Sequence, residues 1–221
     1  MKERTIEILK YFSEINKKML FVEGTELCIS NVEGSVLAHA VLPERMNKNF
    51  AFYDVTEFLG TFNLFETPDI TFDEDYLTIV DSKNKNKVKY YYSSSLGIIN
   101  VYNTDIKSKT GAELAKFTLE KGALDTGKKA SSILGLNDFM LTVNGVKLLN
   151  LEANNHGNEF DLEVKDLEII DKDGINESER VLIFKELTFI PDTYYVTFYD
   201  NLVSFKSANG DVIYYIMYVD V

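Results

Sequence analysis

Over residues 5–16 the apolar positions recur at steps of three and four, with Ile8, Leu9, Phe12 and Ile15 on one stripe. That spacing predicts an amphipathic helix, with Thr5 as its N-cap. The period then drops to two. Alternating runs at 19–22, 26–32 and 36–42 are separated by Gly24 and the Glu33-Gly34 turn, which predicts an antiparallel meander. After a short run at 50–53, Asp54 and Glu57 form a capping box. They open a second helix through Phe65, whose apolar face is Val55, Phe58, Leu59, Phe62 and Phe65. Pro68 blocks its continuation. Strands follow at 70–72, 76–80 and 88–93, the last two joined by a Lys/Asn-rich turn at 82–86.

The pattern then begins again. Residues 1–102 read as one domain, 103–111 as a polar connector without periodicity, and 112–221 as a second domain. In the second domain a helix at 121–134 precedes strands at 139–143, 146–151 and 160–167. Phe184 to Phe189 leads into Pro191-Asp192 much as the second helix leads into Pro68-Asp69, and the run at 212–219 is a final strand. The fold class is therefore α+β, built from two similar domains of antiparallel sheet and few helices.

Composition agrees with a strand-rich chain. The 221 residues include 15 Phe, 13 Tyr, only 3 Pro and no Trp. A lone Cys28 makes an intrachain disulfide impossible and predicts a buried structural thiol in a reducing compartment. The first residues carry charges through their apolar stretch, and no run approaches the roughly 18 apolar residues of a membrane helix.

Few motifs carry chemistry. Gly122 to Lys128 has the spacing of a phosphate-cradling loop, but Lys129 stands where Ser or Thr would bind magnesium, and the surrounding pattern is not βαβ. Asp171 and Asp173 beside Gly174 lack the remaining ligands of a calcium loop and read as an acidic turn. His39, His156 and Cys28 have no metal or nucleophile spacing, and the Asn176 sequon has no secretory context. Nothing points to an enzyme or a cofactor.

Charge is more informative. A formal net charge of -12 opposes nonspecific DNA binding unless the basic groups are segregated. Lys10 and Lys17 on the first helix and Lys121 and Lys128 on its counterpart are each seven residues apart, which places each pair on one helical face. Lys18 and Lys129 adjoin them, although Glu3, Glu7 and Glu14 dilute the first set. A second pattern lies in the strands: Lys83, Lys85, Lys87 and Lys89 alternate in the first half, and Glu159, Asp161 and Glu163 in the second. Opposite charges on two exposed edges would guide head-to-tail pairing of the first domain of one subunit with the second domain of another. Protection of the edges against aggregation is the competing explanation.

The order of these features resembles the T-even phage sliding clamps. The similarity is strongest from Ile15-Asn16 through Met19-Leu20 and Gly24 to the run from Phe50 to Gly60, where Tyr53-Asp54 enters the helix that carries Phe58-Leu59-Gly60. The resemblance implies a homotrimeric ring with helices lining a central hole and sheets outside. Such a ring encircles duplex DNA without sequence specificity and tethers the replicative DNA polymerase. The basic helix positions would face DNA, and an ATP-driven clamp loader would open the ring. Polymerase tails would bind a hydrophobic pocket near the connector, for which the candidates are Val32, Ile106, Val212 and Tyr214. It also implies action in the cytoplasm of an infected bacterial host. A strand-rich viral structural or assembly protein is the alternative.

Overall fold

The computed structural model describes residues 1–95, 110–151, 157–175, 181–183 and 188–218. It divides into two compact units, residues 1–34 with 38–102 and residues 35–37 with 103–221. Ile106, His156, Asn176 and the Phe184 end of the internal echo lie outside the described residues.

The first unit begins with α1 (Glu3–Ile15), which buries Ile8, Leu9 and Phe12 on the stripe its spacing predicts. The helix starts two residues early. Thr5 is therefore not the N-cap; it sits inside the first turn, is buried, and its hydroxyl donates to the Glu44 carboxylate. Strands β1 (Met19–Phe21), β2 (Gly24–Ser30), β3 (Val36–Met46) and β4 (Phe50–Phe52) follow. The expected meander is only partly present: β2 lies beside β3, but β1 pairs antiparallel with β4, with Leu20 opposite Ala51. Ring packing favours that partner, because Phe21 stacks on Phe50 with centroids 4.6 Å apart and also meets Phe52. Cys28 on β2 is half-buried rather than fully buried.

Helix α2 (Val55–Phe62) starts where the sequence predicts. The Asp54 carboxylate accepts the Thr56 N–H at 2.8 Å and the Thr56 hydroxyl. The helix ends three residues before Phe65, because the bonds from Leu64 N–H to Thr61 and from Phe65 N–H to Phe62 tighten the chain into a 3₁₀-like turn. The Thr56 hydroxyl is the main reason the Asp54 carboxyl titrates below the 3.8 of a free aspartate; burial opposes it, and the Thr56 and Glu57 N–H groups and Lys17 add to the lowering. A carboxyl depressed in the folded state contributes fully above pH ~4 and loses its contribution as pH falls through the folded value. Asp54→Ala should cost about 1 kcal/mol in urea unfolding at neutral pH. Asp54→Asn should retain most of that stability while flattening its decline in acid.

A three-stranded sheet, β5 (Pro68–Phe72), β6 (Tyr76–Asp81) and β7 (Lys87–Tyr91), completes the unit as two antiparallel hairpins.

The second unit opens with a strand that the periodicity does not announce, β8 (Glu113–Leu119). Helix α3 (Lys121–Leu134) has the predicted bounds and stops at Gly135, which takes a left-handed φ of 68° that a glycine adopts without a Cβ clash. The helical state of Gly122 and Gly127 removes the phosphate-loop reading, since a phosphate cradle needs their backbone in a loop. One sheet has the order β11 (Phe160–Leu162), β10 (Gly145–Leu149), β9 (Asp138–Thr142) and β13 (Val181–Ile183). The predicted single strand over 160–167 is in fact two: after β11 the chain breaks, and β12 (Lys165–Ile169) runs beside β8, with Asp166 at φ 54°. The other strands of this unit's second sheet follow the order β12, β8, β14 (Tyr194–Tyr199), β15 (Leu202–Ser207) and β16 (Val212–Met217). Phe117, Phe139, Phe189, Phe198 and Phe205 are buried in the core between them.

Candidate strand-edge and helix-face site

Two sheet edges carry the alternating charges, and hydrogen-bond parity defines how they face. In the β6–β7 hairpin the Asp81 N–H bonds the Asn86 carbonyl and the Tyr92 N–H bonds the Asp75 carbonyl. Antiparallel pairs alternate between bonded and non-bonded. Val88 and Tyr90 therefore direct their backbone groups at β6, whereas Lys87, Lys89 and Tyr91 direct theirs outward. The Ser93 N–H, next in the outward series, bonds the Ala51 carbonyl at 2.9 Å, which fixes the same parity from the other side. Among the described residues no strand pairs with the outward side of β7 at Lys87 or Lys89.

The second edge has the same construction. A two-residue loop joins β9 to β10, so Thr142 and Gly145 form the bonded pair that closes it. It follows that Val146 and Leu148 of β10 face β11, and that Asp161, opposite Lys147, faces outward with Glu159 and Glu163 on either side. All three acids are exposed, as are Lys83, Lys85, Lys87 and Lys89.

The charges are not equally available. Lys83 pairs with Glu66, and Lys85 occupies the turn with φ 59°. The Lys89 ammonium donates to the Tyr76 hydroxyl at 3.1 Å and sits 4.2 Å from the ring centroid; that hydrogen bond raises its pKa. Glu159 pairs with Lys147 at 2.6 Å. Lys87 and Asp161 make no ion pair among the described residues. Tyr91, exposed on the face shared by Lys87 and Lys89, was missed by charge pattern alone, although its i, i+2, i+4 spacing marks it.

The lysines diverge, and the first set does not share a helix: α1 ends at Ile15 with Asn16 extended, so Lys17 and Lys18 lie beyond it and form no helical face with Lys10. Lys10, Lys17, Lys18, Lys121 and Lys129 are exposed. Lys17 lies 3.8 Å from the Asp54 carboxylate, and the Lys18 ammonium sits 4.9 Å from the centre of the exposed Tyr53 ring. Lys128 is half-buried beside the buried Leu124 and Gly127; desolvation lowers its pKa, against the opposing pull of Asp125. The exposed stripe of α3 is Lys121, Gly122, Asp125, Thr126, Lys129, Ser132 and Ile133, in which an aspartate sits between two lysines. On α1, Glu3 and Glu14 are exposed alongside Lys10. Acidic residues share the exposed side of both helices.

The pocket candidates separate as well. Val32 is 81% exposed, whereas Val212 and Tyr214 are each 1% exposed. The latter two are core residues: Tyr214 packs on Phe189, and its hydroxyl accepts the Ile190 N–H at 3.3 Å. The Asp171 carboxylate accepts the N–H groups of Asp173 and Gly174, which makes that segment a turn held by its own backbone. Among the described residues no cluster of three potential ligands could hold a metal ion, and no helix is long and apolar enough to cross a membrane.

No protein-family profile matches the chain. A sliding clamp from Vibrio phage KVP40 is 29% identical over 157 residues, which cover 69% of each chain. PCNA from Thermococcus kodakaraensis superposes with a TM-score of 0.67 at 14% identity, over 98% of this chain and 96% of that one. The chain has the clamp fold and is similar in sequence to a phage sliding clamp. The same clamp fold relates it to the DNA polymerase III β chain of Streptococcus pneumoniae, with a TM-score of 0.61 at 10% identity, over 98% of this chain and 63% of that one.

Proposed function

We propose that this clamp closes into a ring of three copies around duplex DNA and tethers a replicative polymerase, conferring processivity by enclosure rather than by tight binding. The domains are 1–102 and 112–221, joined by the connector at 103–111, and the protein acts in the cytoplasm of an infected bacterial host. The observation that carries this reading is the pair of open edges. Antiparallel pairing sets outward-facing residues opposite outward-facing residues. Any such register between β7 of one copy and β11 of the next therefore places Lys87 and Lys89, with Lys85 at the turn, among Glu159, Asp161 and Glu163. A slip by two residues exchanges one attractive pair for another.

Lys10, Lys17, Lys18, Lys121, Lys128 and Lys129 are the proposed DNA contacts. Mixed charge on both helices favours weak, mobile phosphate contacts, and a closed ring needs no more. Val32 and Ile106 are the proposed polymerase contacts, while the burial of Val212 and Tyr214 removes them from the set. An ATP-driven loader would open the ring at the charged edges.

The test is primer extension on a circular template with a matched loader, ATP and polymerase. Product length per binding event should rise sharply, and cutting the template should release the loaded protein. Retention on the linear product, or no gain in length, would reject enclosure.

A further inference from the structure

The two units differ at one sheet edge, and the difference outlines a binding site for an extended peptide. In the second unit the hairpin β14–β15 bonds through the odd-numbered residues of β14, as the Ala208 N–H to Thr193 carbonyl bond fixes. Tyr194, Val196 and Phe198 therefore direct their backbone groups at β8, where they lie opposite Leu119, Phe117 and Ala115. In the first unit the hairpin β5–β6 has the same construction. The bonds from Asp73 N–H to Tyr76 and from Ser82 N–H to Thr67 assign Thr67, Asp69, Thr71 and Asp73 to β6. Pro68, Ile70 and Phe72 are left facing outward, in the positions of Tyr194, Val196 and Phe198. Among the described residues no strand occupies the place that β8 occupies.

Side-chain exposure follows. Phe198 is 0% exposed and meets the β8 ring of Phe117 at 5.9 Å, whereas Phe72 is 42% exposed. A flat edge with open N–H groups at Ile70 and Phe72 and apolar side chains beside them is a template for strand addition. Pro68 blunts only its first position, since it has no N–H to offer. Asp69, Glu74 and Asp75 are exposed around this edge and favour a cationic neighbour.

We propose that the outer edge of β5 binds an extended segment of a partner protein as an added antiparallel strand. The segment carries apolar residues at alternate positions, an aromatic one opposite Ile70, and a basic residue at the end that meets the Glu74-Asp75 turn. The occupant's chemistry is that of β8, whose Ala115, Phe117 and Leu119 fill the equivalent edge. The site uses only residues of the first unit and is independent of ring closure and DNA.

The probe is a labelled synthetic peptide with the sequence of residues 111–120 carrying Glu113→Lys, which puts a basic residue at the end that meets Glu74-Asp75, added to the full-length clamp. Fluorescence anisotropy should show saturable binding, and amide hydrogen exchange should slow at Ile70 and Phe72. Ile70→Pro removes an outward N–H while leaving every bond to β6 intact, and should weaken binding about tenfold or more. Phe72→Asp, which leaves the backbone untouched, should do the same by removing the apolar contact. Equal affinity for wild type and both variants, no binding, or Ile70 and Phe72 amides already protected in the free clamp would each overturn the proposal.

Discussion

Lys87→Glu should weaken self-association of the clamp about tenfold per interface, and adding Asp161→Lys should restore part of the loss. The first change places like charges along an edge whose neighbours offer only acids, and the second returns an attractive pair with its sign inverted. These two positions suit the test because neither is engaged in an ion pair within its own unit among the described residues, so each substitution reads out on assembly. Lys89 and Glu159 would confuse it, since each already has a partner, Tyr76 and Lys147. Analytical ultracentrifugation across a concentration series measures the shift, and native mass gives the number of copies. The two explanations of the charges separate here. If they serve only to deter aggregation, Lys87→Glu leaves the dissociation constant unchanged, because a glutamate protects an edge as well as a lysine does.

What was legible in the sequence was what local periodicity encodes. Ile8, Leu9 and Phe12 defined a buried stripe, and the Asp54 cap defined the start of α2, because both signals lie within one or two turns. β8 was not legible. Its run of Glu113, Leu114, Ala115, Lys116 and Phe117 includes residues with poor strand propensity, and only pairing with β12 on one side and β14 on the other makes it extended. The partner of β1 was hidden for a similar reason: aromatic packing of Phe21 on Phe50 outweighs proximity along the chain. Among the site residues, alternation placed the edge charges on one face. The seven-residue lysine spacing gave a direction on the helix but not the depth, so Lys128 could not be told from Lys129 until neighbouring burial was known.

A consequence follows for how the clamp holds DNA. Affinity that comes from phosphate neutralisation scales with the number of cations presented, and the exposed stripe of α3 offers only two lysines with an aspartate between them. With a net charge of -12 on the whole chain, an open subunit has little attraction for a polyanion. Retention then depends on closure. In the proposed ring, closure rests on the β7 and β11 edges keeping their form, which would make the packing beneath them part of the function.

Phe52→Ala should destabilise the first unit by about 3–5 kcal/mol, the cost of removing a buried ring and leaving a cavity. Phe52 is fully buried at the centre of an aromatic cluster, with ring centroids 4.7 Å from Phe58, 5.3 Å from Tyr90, and 5.4 Å from both Phe21 and Phe50. Tyr90 belongs to β7, and its hydroxyl donates to the Asp54 carbonyl at 2.9 Å, fastening that strand to the start of α2. Burial holds the Tyr90 hydroxyl protonated, with its pKa pushed up to about 12, so the fastening persists across the neutral range. Losing the Phe52 ring removes the surface on which Tyr90 rests, and the outward edge at Lys87 and Lys89 loses its backing. Urea unfolding should report the loss of stability. Sedimentation at a temperature where the variant remains folded should show weaker self-association as well, even though Phe52 is fully buried within the first unit. Phe52→Leu, which keeps most of the volume, should recover the greater part of both. If Phe52→Ala loses stability but assembles as the wild type does, the cluster and the edge are uncoupled, and the form of β7 is set by its pairing with β6 alone.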